Sequence, residues 1–334
     1  MLLSQDRRRS RRVLLATFAA AALLGASASL RAQPTPWPNK PLKLLVGFPA
    51  GGASDVMARL IADKLAQGLG QAVVVDNRPG AAGTLAASLA ARSAPDGHTL
   101  LLASPTAITL APTTMVGKIN YDPARELVPV SKVASYPLFL IARPGLNVKS
   151  VPELLQYARQ NPGKLNFGSF GANTSGGLAT EMVKLMAGID ALHVPYNGSA
   201  PALQALMGGT IDVMFDTAVT AIPNVKAGTL RALAVASPRR TSIAPELPTL
   251  AESLPGFEAD SWNGLMVPAG TPSAVVSRLQ AEVARFVTLA DVKDRFALIG
   301  AEAVGSNAAN FAAFLKEETE RYARLVREAN LKIE

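Results

Sequence analysis

The sequence predicts an α/β protein in which short parallel strands are covered by helices on both faces. The first observation is an alternation: from Leu42 onward, apolar runs of four to seven residues take turns with amphipathic stretches of helical length. The second is a shared start signal, because several of those stretches open on a hydroxyl residue followed within two positions by proline. No internal repeat, heptad array or low-complexity tract interrupts the pattern.

Strands are expected at Leu42–Gly47, Ala72–Asp76, Thr99–Ala103, Leu138–Ala142, Lys164–Gly168, Leu192–Pro195, Ile211–Phe215 and Leu230–Ala236. A first helix opens at Ser54, after the turn Pro49-Ala50-Gly51-Gly52. In "SVPELLQYARQ", Ser150 is the expected N-cap, Pro152 lies in the first turn and Glu153 completes a capping box. "SAPALQALMGG" repeats the signal with Ser199 and Pro201, and "TPSAVVSRLQAEVARFV" with Thr271 and Pro272. A last helix, charged on one side, is expected from about Asn307 to Ala329. Two extended stretches, "LVPVSKVASYPLFLIA" and "FEADSWNGLMVPAG", exceed ordinary strand length and are candidates to cross between domains. The middle of the chain would then form one domain and its two ends the other. Roughly 300 residues after the leader suggest two domains of ordinary size.

Residues 1–32 have the composition of a removable export signal. Arg7, Arg8, Arg9, Arg11 and Arg12 precede the apolar run Val13 to Ala28, which is shorter than a comfortable ~20-residue membrane span. Ala26-Ser27-Ala28 is an A-x-A cleavage site, and Ala32 is a second candidate. "SRRVLLA" fits either a twin-arginine or an ordinary secretory signal. The 33 basic and 25 acidic residues give a net charge of +8, but without residues 1–32 the balance is 27 against 24, or +3. The basicity belongs to the leader, so it does not point to nucleic acid. Cysteine is absent, which excludes disulfides, thiolate metal sites and a lipid-modified cysteine.

Catalytic machinery is hard to assemble from what remains. His98 and His193 each head an apolar strand, where a structural role is the commoner one. No G-x-S-x-G elbow, H-E-x-x-H helix or phosphate-loop motif occurs. One enzyme reading stays open, a Rossmann-like dinucleotide site. Asp76 ends a strand twenty-four positions beyond Gly52, close to the spacing of a ribose-binding acid. The turn "GFPAGG", however, departs from G-x-G-x-x-G.

A binding function uses more of the residues. "FPAGGASD", "NRPGAAGT", "ASPTA" and "GSFGANTSGG" share one form, in which a strand ends, small residues follow and a helix starts. In an open α/β sheet, ligands sit beyond the carboxyl ends of the strands. Glycine there lets the backbone approach, and free N–H groups at helix starts attract an anion. Ser54, Thr84, Ser104, Ser169, Thr174 and Ser175 add hydroxyls.

These segments, together with "HVPYNGSAPALQALMGGTIDVMFD", "LRALAVASPRR" and "PGFEADSWNGLMVPAGTP", resemble the tripartite tricarboxylate transporter substrate-binding proteins, the Bug family. The similarity runs from about Trp37 to the C-terminal helix. The resemblance implies a periplasmic binding protein-like fold of type II: two α/β lobes with a ligand cleft between them. Lobe one would comprise 37–135 plus 257–334, and lobe two 136–256. It implies a non-enzymatic periplasmic protein that captures a small carboxylate, without cofactor or metal, for uptake by the transporter's membrane subunits or for sensing. A monomer is expected. The ligand-binding residues carried over are Phe48, Ala50, Gly51, Gly52 and Ser54; Ala81 and Gly83; Ser104 and Thr106; and Ser169, Gly171, Thr174 and Ser175. Asp216, ending the "IDVMFD" strand, would either meet the ligand or cap the next helix. The family's G-S-x-x-H run is replaced by "NTSGGLATEM", which lacks the histidine.

Overall fold

Strand β1 (Leu42–Val46) is an apolar run buried at four of its five positions. It pairs in parallel with β2 (Val73–Asn77) on one side and β3 (Thr99–Ala103) on the other. The computed structural model describes residues 37–241 and 243–328, so the expected export signal lies outside the described residues. Helices α1 (Ala53–Leu69) and α2 (Thr84–Ala91) make the crossovers that parallel pairing requires. After β3 the chain makes a π-helical turn, Thr106–Leu110, before entering β4 (Leu127–Ala142).

The middle of the chain repeats the plan: α3 (Val151–Gln160), β5 (Leu165–Ser169), α4 (Ser175–Ala187), β6 (Ala191–Pro195), α5 (Ser199–Met207), β7 (Val213–Thr217), α6 (Ala218–Lys226) and β8 (Arg231–Val235). β5 runs parallel to both β6 and β7. The chain returns through β9 (Asp260–Pro268) and closes with α7 (Ser273–Phe286), α8 (Ala290–Leu298), β10 (Glu302–Ala303) and α9 (Ala308–Glu328). Every strand expected from sequence is present, shifted by at most two residues at an end, or extended in the case of β4.

The strand order is β2-β1-β3-β9-β4-β7-β5-β6, with β8 and β10 also on β4. Residues Leu127–Pro137 of β4 pair with β9, whereas Leu138–Ala142 pair with β7 and β8. One strand therefore serves two half-sheets. The sheet is mixed rather than all parallel. β4 leaves the first half while β9 comes back, so the two crossing segments lie antiparallel to each other. Ala259 N–H still bonds Ala236 O in the second half, just before β9 joins the first.

Each half has its own core. One gathers Leu45, Ala86, Leu101, Ile108, Trp262 and Phe311; the other gathers Leu140, Leu154, Phe167, Phe215 and Phe257. Phe167, Phe215 and Phe257 stack in series at centroid spacings of 5.5 and 5.9 Å. Helix α9 contributes Phe311 and Leu315 to the first core and Tyr322 to the second.

The helix-start signals prove unequal. Ser150 caps α3 by accepting Glu153 N–H at 3.3 Å, but the Glu153 carboxylate takes Lys149 N–H at 2.8 Å instead of the cap's own. Ser199 does not cap α5, because its hydroxyl goes to Asp216 Oδ1 at 2.7 Å. Thr271 donates to Pro268 O at 2.7 Å and leaves α7 to start at Pro272. The acceptor lies seventeen residues away for Ser199 but only three residues back for Thr271, and neither hydroxyl bonds an N–H of its helix.

Candidate functional site

The β1–α1 turn is held from beneath. Asp55 Oδ2 accepts Gly51 N–H at 3.0 Å, and Arg59 grips both carboxylate oxygens at 3.0 Å. Burial alone would raise the Asp55 pKa, but the bonds from Arg59 and Gly51 prevail and hold it below the ordinary carboxylate value. Asn77 Nδ2 donates to Phe48 O at 3.0 Å, tying this turn to the end of β2. There Ala81 and Ala82 are both left-handed, with φ of 45° and 54°. Each costs roughly 1–2 kcal/mol. Gly47 and Gly83 touch backbone to backbone, since a Cβ on Gly47 would fall 2.6 Å from Gly83 Cα.

An inner chamber opens where strand ends of both halves meet. The first half supplies Phe48, Gly52, Ser54, Ser104 and Thr106; the second supplies Phe170, Ser175, Ser199 and Thr217; Tyr136 and Ser261 come from the crossing strands. None of the lining side chains is charged. The starts of α1, α4, α5 and α6 all contribute. Only α4 has a side-chain cap, Thr174 Oγ1 accepting Gly177 N–H at 3.2 Å; α1, α5 and α6 have none. The space open to the centre of a water-sized sphere is ≈ 30 Å³, room for about one or two waters. The halves touch at its rim, where a Cβ on Gly198 would lie 3.1 Å from Pro49 Cδ. An outer chamber of ≈ 260 Å³ shares Phe48, Pro49, Phe170 and Gly198 with it and adds Ala81, Gly83 and Gly171.

The expected residues thus separate. Phe48, Gly52, Ser54, Ser104, Thr106 and Ser175 line the inner chamber, while Ala81, Gly83 and Gly171 line only the outer one. Ala50 and Gly51 are exposed on the turn and line neither. Thr174 is the α4 cap. Ser169 is fully buried, and its hydroxyl lies 2.7 Å from His193 Nε2, whose Nδ1 is 2.8 Å from Glu181 Oε1. The order Ser–His–Glu has the form of a hydrolase triad, but no substrate reaches a fully buried oxygen. It acts as a strut, with the Gly171 N–H also on Ser169 Oγ at 3.3 Å.

Asp216 is likewise fully buried and does not line the chamber. It accepts from Ser199 Oγ at 2.7 Å, Thr217 N–H at 2.9 Å and Thr220 Oγ1 at 2.6 Å. Burial pushes its pKa up to about 6, against these three bonds. It bonds the N–H of Thr217, the residue before α6, and no N–H inside that helix. Sequence reasoning missed Tyr136, Ser199, Thr217 and Ser261. Ser199 had been assigned to its own helix, and the others carry no local signature. Asp76, the acid of the dinucleotide reading, is ion-paired with Arg78 at 2.8 Å and Lys43 at 3.6 Å, away from both chambers.

Two α/β halves joined by crossing strands, with a neutral cleft walled by helix starts, define a two-lobed solute-binding receptor. Residues 57–331 match the family described as Tripartite tricarboxylate transporter family receptor, and the chain belongs to that family. Protein BugT of Bordetella pertussis is 35% identical over 298 residues, covering 89% of this chain and 91% of BugT. Among solved structures, Rpa4515 of R. palustris with adipate is 36% identical, with a TM-score of 0.85 over 88% of this chain and 98% of that one. MatC of Rhodopseudomonas palustris with bound malate is 33% identical, with a TM-score of 0.82 over 87% of this chain and 100% of its own. Family members are receptors, not enzymes, and the dinucleotide-enzyme reading is set aside. None of the described helices is long and apolar enough to cross a membrane.

Proposed function

We propose that the protein, exported by residues 1–32 and monomeric in the periplasm, captures a small carboxylate in this cleft. It would then present the ligand to the membrane subunits of a tripartite tricarboxylate transporter. One observation carries this reading: the inner chamber has no charged side chain, yet four helix starts line it and three of them lack a side-chain cap. An anion there meets free N–H groups and the positive ends of helix dipoles. Adipate on Rpa4515 and malate on MatC support the ligand class. The lobes divide at about residues 136 and 257. Pro49 against Gly198 narrows the rim, so the lobes would part to admit a diacid.

A thermal-shift screen tests the reading with sodium adipate, malate and citrate against neutral sugars. A carboxylate at 100 times its Kd adds about 2.7 kcal/mol of stability. A midpoint raised only by sugars or by simple cations would defeat it.

A further inference from the structure

Glu318 is a buried carboxyl group that carboxylate capture, as described so far, does not use. It is 4% exposed on α9, between the residues that this helix gives to the two cores. Trp262 Nε1 of the returning strand β9 donates to its oxygens at 2.9 and 2.8 Å. Thr109 Oγ1, in the π-helical turn, lies 2.7 Å from Oε2. The same Thr109 oxygen lies 2.9 Å from the carbonyl oxygen of Pro105, a residue lining the inner chamber.

A hydroxyl has one proton to donate. When Glu318 is ionised, its carboxylate outcompetes the neutral carbonyl for that proton, because charge-assisted bonds are about twice as strong. When Glu318 is protonated, the acid O–H donates to Thr109 Oγ1, and the threonine proton is free for Pro105 O. We propose that Glu318 is a positioning residue for the ligand site, its proton deciding whether Thr109 adds its bond to the carbonyl of Pro105, a residue of the cleft wall. The inference rests on the carboxylate-capture reading.

Other charged groups face Glu318 from the packed elements. They are Arg321 of its own helix at 3.8 Å, Asp260 of β9 and Lys132 of β4, with the titratable Tyr322 one turn on; Glu258 pairs with Arg321 at 3.5 Å. Burial is the main influence on Glu318 and raises its pKa to about 7, against the bonds from Thr109 and Trp262. The bond from Thr109 to Pro105 O therefore belongs to the acid side of neutrality. Affinity should be highest below pH 7 and fall about two- to tenfold as pH rises through it, the worth of one neutral hydrogen bond.

Two variants separate this from a merely structural role. Glu318→Gln keeps the shape, donates an amide N–H to Thr109 and accepts from Trp262, so it should stay at the tight limit. Thr109→Val keeps the shape but removes the hydroxyl's bond to Pro105 O, so it should bind at the weak limit. Calorimetry with adipate and malate between pH 5.5 and 8.5 should lose the component with a midpoint near 7 in both. Asp216 also titrates beside the cleft, but equally in all three proteins. Without ligand, in a Trp37→Phe background, Trp262 emission should titrate near pH 7 and cease to do so with Glu318→Gln. The inference is overturned if Trp262 emission does not titrate in the parent, or if the pH dependence of affinity in either variant equals the parent's. It also fails if Glu318 titrates while affinity stays constant. If neither diacid binds at any pH, the capture reading fails and the effect on affinity falls with it, while the ligand-free emission still reports whether Glu318 titrates.

Discussion

Asp55 and the glycines around it carry the most direct consequences at single positions. Asp55 takes Gly51 N–H and two bonds from Arg59, and it lines neither chamber. Asp55→Asn is expected to lower the melting temperature more than the affinity for a bound diacid. Because its folded pKa is lowered, the stability it contributes is present above the ordinary value of 3.8 and is lost as pH falls through the folded value. Melting curves of the two proteins should therefore converge below about pH 4. Gly51 has a φ of +81° and open space where a Cβ would sit, so Gly51→Val pays backbone strain without obstructing the cleft. The expected cost is roughly 1–2 kcal/mol with binding retained. Gly47 is the position where bulk matters. Gly47→Ala would push against Gly83 Cα, separate the two lobe-one turns, and weaken binding at least tenfold by calorimetry.

Side-chain caps are few among these helices, since α2, α7 and α8, away from the inner chamber, also start without one. α3 faces away from the cleft and is capped by Ser150, whereas α1, α5 and α6 start uncapped at the chamber wall. Thr174 is the intermediate case, capping α4 through Gly177 N–H while donating to Gly171 O at 2.6 Å. Ser150→Ala and Thr174→Ala should each cost about 1 kcal/mol of stability, the usual worth of a cap. Only Thr174→Ala should also weaken ligand binding, because its loop carries Phe170 and Ser175 into the chamber. Equal affinity losses in the two variants would mean that global stability, not cap position, controls the site.

Motion belongs to the whole molecule. β4 and β9 are the crossing strands, and Tyr136 O–H ties them by donating to Asn263 Oδ1 at 2.7 Å. Pro49 of one half lies against Gly198 of the other at the rim of the cleft. Opening would be a hinge bend at the crossing strands rather than a rearrangement of either core. Small-angle scattering should give a smaller radius of gyration with a saturating diacid than without it. Gly198→Ala, which wedges Pro49, should keep the radius large and reduce affinity. An unchanged radius on saturation by a confirmed ligand would rule out the clasp.

The sequence by itself determined the local elements and their class. Apolar runs such as Thr99–Ala103, short and bounded by turn residues, read as buried strands, and "SVPEL" carries its helix start within four residues, so short-range chemistry suffices. It also exposed the strand-to-helix loops, because glycine and hydroxyl residues cluster at Phe48–Ser54, Ser104–Thr106 and Ser169–Ser175. Which hydroxyl serves which partner was decided only in three dimensions. Ser169 turned inward to His193, and Ser199 left its own helix start for Asp216, seventeen residues away. The antiparallel centre of the sheet came from the chain crossing twice between the halves, a property of path rather than of any segment. Tyr136 and Ser261 reached the cleft for the same reason. Tyr136 sits within β4 and Ser261 at the start of β9, where alternation fixes which face a side chain takes but not what lies opposite. A hydrogen bond goes to whichever acceptor the fold brings within 3 Å, and that distance is set by packing between segments that sequence order keeps apart.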